Sequence, residues 1–402
     1  MSEHHTPEFE FIALVALISA LVAMSIDTML PAVGIMAHEL GAAHENDRQL
    51  IVLGFFTGIM LGTPVFGPLS DSIGRKLSIY GGIAVYCVGA LICLFAPGFT
   101  ALIVGRVIQG FGAGAARIVT LAMVRDGFKG PAMARIMSFV MSVFMLVPIF
   151  APSIGQLVLY VASWRVLFAG FIVAALVMAT WLALRQEETL APRNRLPFQL
   201  GKLWASAREV LSHPVALGYT LASGFVFGVF TAWLGTCQQI FAEQYKQGDK
   251  FALWFGALAT TLAIAMLLNG RLVMRLGMRK LSRRAMLGYM AIWLVILLMC
   301  LASAGNPPLW LLAPFLALWF FSAGFTFGNF NAMSMEPMGH IAGMAAAVSG
   351  TISQAMGIVL GGFAGRFYDG TITPMAWFFV AFAVAAFLVT EWAERHRKPA
   401  RG

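Results

Sequence analysis

Gly67-Pro-Leu-Ser-Asp71-Ser-Ile-Gly74-Arg75-Lys76 decides the fold, because the chain carries its frame twice. The second copy is Gly270-Arg-Leu-Val-Met274-Arg-Leu-Gly277-Met-Arg279-Lys280. In both, glycines seven apart bracket a leucine at the third position and precede a basic pair. Gly67 and Gly270 lie 203 positions apart in a chain of 402 residues, about half its length. A basic turn recurring at that interval, between long apolar stretches, indicates two similar membrane bundles. Such a duplication is expected to enclose a site near the bilayer midplane.

Outward from the two copies, the composition is that of a membrane protein. The chain is 59% hydrophobic and 11% charged, with mean hydropathy +0.81. Apolar runs of about 20 residues recur throughout, each long enough to cross a bilayer as a helix. Unpaired backbone groups are not tolerated in lipid, so these runs must be helices; the short alternating segments of a strand barrel are absent. The sequence predicts an all-α membrane protein with twelve transmembrane spans, at about 10–34, 50–70, 77–96, 99–124, 134–160, 164–184, 214–241, 251–274, 285–304, 307–335, 343–368 and 372–392. They form two pseudo-symmetric six-helix bundles, 1–184 and 214–392. Between them lies a linker, 185–213, with a short helical stretch from Gln199 to Leu211; a tail, 393–402, follows.

The net charge of +9 does not indicate nucleic acid, because Lys and Arg concentrate in alternate short loops, the linker and the tail. That pattern places both termini on the cytoplasmic side. Met1 to Glu10 contains no Lys or Arg, so the first run is expected to remain as a span rather than leave as a signal peptide. Cys87, Cys93, Cys237 and Cys300 lie inside apolar runs without metal-ligand spacing. The seven histidines fall in tails, loops or span ends, so no metal site is expected. No phosphate-binding glycine loop, nucleophile elbow or zinc motif is present, which excludes direct ATP drive and offers no catalytic constellation.

Asp27 is the one acid that the span assignment puts deep in the membrane. A charge there costs several kcal/mol by the milder estimates, about 3, and persists where it carries a proton or binds a cation. Arg106 enters span 4 from the outer end as Asp27 nears the outer end of span 1, both roughly 10 Å below the surface. The two could meet, as a coupling pair or as a structural ion pair. Arg117, eleven residues after Arg106, returns to nearly the same helix face. It either touches substrate or extends to the inner surface. Pro148, Pro152 and Gly155 sit inside span 5, as a hinge or a static kink. Phe230 and Trp233 on span 7, with Asn329 and Asn331 on span 10, could line an aromatic, amide-dotted cavity.

These residues resemble the major facilitator superfamily, most closely its drug:proton antiporters of the bicyclomycin and chloramphenicol resistance type. The resemblance covers essentially the whole chain. Gly67-x-Leu-x-Asp71-x-x-Gly74-Arg75-Lys76 looks like the superfamily's loop 2–3 signature, and Arg106-Val-Ile-Gln109-Gly110 through Arg125-Asp126 like its span 4 motif. Pro148-Ile-Phe-Ala-Pro152-Ser-Ile-Gly155-Gln156, followed by Trp164-Arg165-x-x-Phe168, is similar to the antiporter motif of span 5. Asp27-Thr-Met-Leu-Pro31 resembles the acidic end of span 1. Ala151 and Gln156 replace glycines usual in the antiporter motif. The resemblance implies that Asp126 pairs with Arg75 to latch the cytoplasmic gate. Met274 stands where the first half has Asp71, so the second latch is expected to be weaker.

The resemblance implies proton-coupled efflux of small amphipathic drugs by alternating access across a bacterial inner membrane. Asp27 and Arg106 would couple the proton; one membrane acid against two arginines, Arg106 and Arg117, leaves the site net positive when Asp27 is ionised, so neutral, zwitterionic or weakly anionic cargo such as phenicol-like compounds is expected. A proton-coupled importer or facilitator of a small metabolite is the alternative. No cofactor or nucleic-acid partner is implied. The expected partners are drug, protons and lipid, and the expected state is a monomer.

Overall fold

The structure is a computed structural model and describes residues 8–197 and 200–397. His4, His5, Gln199, Lys398 and Arg401 lie outside the described residues. All regular structure within them is helical. Among the described residues, twelve stretches are long and apolar enough to cross a membrane, from Glu8–Glu39 to Thr373–Arg395.

In the first half the helices are α1 (Glu8–Asp27), α2 (Val33–Glu39), α3 (Gln49–Ile73), α4 (Arg75–Leu94), α5 (Phe99–Gly127), α6 (Gly130–Val161) and α7 (Arg165–Arg185). The linker carries α8 (Leu200–Ser212). In the second half α9 (Pro214–Gln238), α10 (Phe251–Leu276), α11 (Met278–Ala302), α12 (Leu309–Gly324), α13 (Phe327–Met335), α14 (Ala342–Arg366) and α15 (Thr373–Arg395) follow. The chain divides into two compact units, Met1–Gln199 and Leu200–Gly402. Residues 185–197 therefore stay with the first unit, while α8 packs with the second.

Two spans that read as continuous are broken. Span 1 is α1 and α2 joined through a 3-10 turn, Leu30–Ala32; span 10 is α12 and α13 with a break at Phe325 and Thr326. In span 1 the cause is Pro31, which has no N–H to give to the carbonyl of Asp27. The chain tightens ahead of it, and the Met29 amide bonds to Ile26 at 3.3 Å. The carbonyl of Ser25 is thereby left without its usual helical donor.

The duplicated turn has a backbone reason. Gly74 (φ 103°, ψ 160°) alone separates α3 from α4, and Gly277 (φ 78°, ψ 148°) alone separates α10 from α11. Such angles are open essentially to glycine only. A one-residue reversal between two spans needs this residue at both places. Elsewhere in the first unit, α5 packs closely on both neighbours. A side chain at Gly110 would run into the carbonyl of Phe55 on α3, and one at Gly112 into that of Gly82 on α4. This contact fixes the helix that carries Arg106.

Candidate functional site

Arg106 is wholly buried, and its guanidinium ties three helices together. Nε donates to the Ile51 carbonyl of α3 at 3.0 Å, and Nη1 to Gln109 Oε1 one turn along α5 at 2.7 Å. Nη2 donates to the Ser25 carbonyl of α1 at 3.1 Å. The guanidinium carbon lies 4.3 Å from the ring centre of Phe55. Arg106 thus fills the acceptor that the break in span 1 leaves open. The Ser25 hydroxyl is held as well, 2.5 Å from the Tyr86 hydroxyl of α4 while donating to Leu21 at 2.7 Å.

Asp27 sits two residues beyond this anchored point, at the last position of α1, and is 6% exposed. No ion pair or hydrogen bond to its carboxylate is present among the described residues. The structure therefore does not show the contact that matching depth allowed between Asp27 and Arg106. Arg106 spends its donors on uncharged oxygens, two of them backbone carbonyls, and Asp27 is left as an acid without a partner.

The antiporter-type segment of α6 packs on the same break. A Cβ at Gly155 would collide with the carbonyl of Thr28, the residue after Asp27. Gly155 acts here as a contact surface: α6 runs unbroken through Pro148, Pro152 and Gly155. The C-terminal end of α2 is held by Glu39, which accepts the Trp164 indole at 2.6 Å and pairs with Arg165, whose guanidinium covers the Trp164 ring. Trp164 in turn meets Phe168 edge-on at 5.9 Å. The Trp-Arg-x-x-Phe run thereby clamps the short helix beyond the break.

At the other end of the unit, Arg75 is 5% exposed and gathers the loop signature. Nη1 reaches Asp71 at 2.6 Å and Ser70 Oγ at 2.8 Å; Nε reaches Asp126 at 2.8 Å. Sequence reasoning missed Glu188. Its two oxygens accept the backbone N–H groups of Arg75 (2.9 Å) and Lys76 (3.0 Å), capping the start of α4. Lys76 Nζ donates to the Gln186 carbonyl at 2.6 Å, and a Cβ at Gly74 would press on Glu188. Gly67, one turn before Asp71, lies inside α3.

The second unit builds its latch from other residues. Arg279 pairs with Glu336 (3.2 Å) and Arg397 with Glu336 (2.6 Å) and Glu394 (3.0 Å), while the Tyr219 hydroxyl donates to Glu394 at 2.7 Å. Met274, which stands where the first unit has Asp71, is 87% exposed, and acids at the ends of spans 10 and 12 supply the charge instead.

Among the expected cavity residues, Trp233 is 1% exposed and enclosed edge-on by Trp319, Phe320 and Phe241. It is a packing residue in this conformation. Asn329 is also buried. Its amide exchanges two 3.0 Å bonds with Asn269 of α10 and donates to the Phe325 carbonyl at 2.8 Å, the acceptor exposed by the break in span 10. Phe230 is half-buried against Phe327, and Asn331 is exposed, its carbonyl taken by Ser334. Arg117 is exposed, with no ion pair among the described residues. No group of three or more potential metal ligands occurs among them either.

Sequence reasoning did not single out Ser25, Tyr86, Glu39, Asn269 or Glu394. Pro31, four residues after Asp27, was the available signal for the break; the others carry no local signature.

Residues 15–362 match the sequence profile of the Major Facilitator Superfamily. The chain belongs to that superfamily. Like its other members it is a multi-pass membrane transporter and not an enzyme. Among its relatives, it is 26% identical to a bicyclomycin resistance protein homolog of Haemophilus influenzae, over 98% of both chains. It is 27% identical to a chloramphenicol resistance protein of Pseudomonas aeruginosa, over 82% of this chain and 77% of that one. Among solved structures, a D-xylose-proton symporter superposes with a TM-score of 0.76 at 13% identity, covering 95% of this chain and 97% of that one. At that identity the likeness is one of superfamily fold.

Proposed function

We propose that this transporter exports small amphipathic compounds across the bacterial cytoplasmic membrane in exchange for protons, with Asp27 as the proton carrier and both termini in the cytoplasm. The observation that carries the reading is a buried, partnerless carboxylate at the end of a broken helix, gripped on one side by Arg106 and Tyr86 through Ser25 and abutted on the other by Gly155. The resistance names of relatives support outward transport and a drug-like cargo. Asp27 takes a proton from the outer face, which removes the cost of a bare charge in the membrane and permits inward opening. Cargo entry then favours release of that proton to the cytoplasm. A proton moving down a potential of 100 mV contributes about 2.3 kcal/mol per cycle.

Arg106 and Arg117 outnumber Asp27 in the spans of the first unit, which leaves them net positive when Asp27 is ionised. Neutral, zwitterionic or weakly anionic cargo, such as phenicol-like drugs, follows from that balance; robust export of a dicationic dye would contradict it. The deciding experiment is export from proteoliposomes under an imposed pH gradient. Asp27→Asn should bind drug yet lose gradient-driven export, and export that persists unaltered would remove Asp27 from the coupling. Net uptake along the proton gradient in oriented vesicles would instead establish an importer.

A further inference from the structure

The linker helix α8 has two faces that ask for different surroundings. Val210 is buried against Ala216, Met338, Ala345 and Val348 of the second unit, and Ser206, one turn before it, is buried beside Met344. Glu209 is drawn to His340 at 2.7 Å. Trp204, Arg208 and Leu211 follow an i, i+4, i+7 spacing and share the opposite face. On it Trp204 is 77% exposed, Leu211 is 49% exposed, and exposed Arg208 has no acid partner among the described residues.

Three considerations choose the occupant of that face. At 13 residues, α8 is about 20 Å long and too short to span a bilayer. Only His213 separates its last residue, Ser212, from Pro214, where span 7 begins, so the helix is tethered beside the membrane surface. A tryptophan, a leucine and a cation on one exposed helical face match the boundary between headgroups and acyl chains. The single charge on the face is positive, which complements an anionic leaflet.

We infer that α8 is a lipid-contact helix: Trp204 and Leu211 enter the adjoining leaflet, and Arg208 takes the phosphate of an anionic phospholipid. The occupant is the bilayer, and the inference stands whichever cargo the transporter carries.

The test uses the full chain in vesicles, with Cys87→Ser to remove the half-buried thiol and a bimane label at Leu211→Cys, compared with the same label at the exposed linker position Arg193→Cys. Aqueous iodide should quench the label at 211 several-fold less than that at 193, and brominated acyl chains should quench it strongly. Adding phosphatidylglycerol to phosphatidylcholine should increase that shielding. The increment should vanish in Arg208→Gln and remain in Arg208→Lys. Equal iodide quenching at the two positions would overturn the proposal. Shielding from iodide without quenching by brominated lipid would overturn it in favour of a protein occupant. A label indifferent to phosphatidylglycerol would overturn the assignment of Arg208 to an anionic headgroup.

Discussion

Ser25 is the residue on which the proposed coupling site turns. Its hydroxyl belongs to Tyr86 and its carbonyl to Arg106, so the end of α1 is fixed two residues before Asp27. This gives Arg106 a role that a point charge does not reproduce. Arg106→Ala leaves the Ser25 carbonyl and the Gln109 oxygen without their donor, at a cost of about 1–3 kcal/mol for each buried acceptor left unmade. We expect a lower midpoint of thermal unfolding in detergent together with lost coupling. Arg106→Lys keeps the charge but lacks the planar fork that reaches three acceptors at once. Export by that variant should remain impaired, and full recovery would mean that charge alone matters. Tyr86→Phe removes one buried hydrogen bond, worth about 1 kcal/mol, and should lower the unfolding midpoint less than Arg106→Ala does.

Broken helices are the recurring device at the scale of elements. Span 1 breaks after Asp27 and hands a carbonyl to Arg106; span 10 breaks at Phe325 and hands one to Asn329. In both, a side chain supplies the donor that the main chain withdraws, as a low-dielectric interior demands. The break in span 1 also admits α6 at close range, which makes Gly155 a sensitive position. Gly155→Ala places a methyl group against the Thr28 carbonyl and should cost about 1–3 kcal/mol with loss of export. Gly170→Ala on α7, where a Cβ meets nothing within 4 Å, should leave both stability and export near those of the native chain. Equal behaviour of the two variants in a thermal unfolding and transport assay would refute the contact role of Gly155.

Across the whole molecule, the two units share a backbone device and differ in their charges. Both reverse direction at a single glycine, yet the first unit buries Arg75 between Asp71 and Asp126, while the second spreads exposed Arg279 and largely buried Arg397 over the half-exposed Glu336 and partly buried Glu394. Asp126→Asn leaves a buried guanidinium short of one acid and should lower stability by about 1–3 kcal/mol. Glu336 is itself 45% exposed, so Glu336→Gln removes a carboxylate that water partly screens and should cost about 1 kcal/mol or less. A reversed order in thermal unfolding of the two variants would contradict the burial argument. The sequence by itself determined the twelve spans, the duplication and the glycine turns. Hydropathy and backbone sterics are local properties, legible within a window of residues. It also marked Asp27, because an acid in an apolar run has no other context. What only the tertiary structure decided is who answers whom: Arg106 to Ser25 rather than to Asp27, Gly155 to Thr28, Glu188 to the start of α4, and Arg397 to Glu336. A buried polar atom is costly to leave unpaired, but helices brought together by packing determine which partner, if any, is within reach.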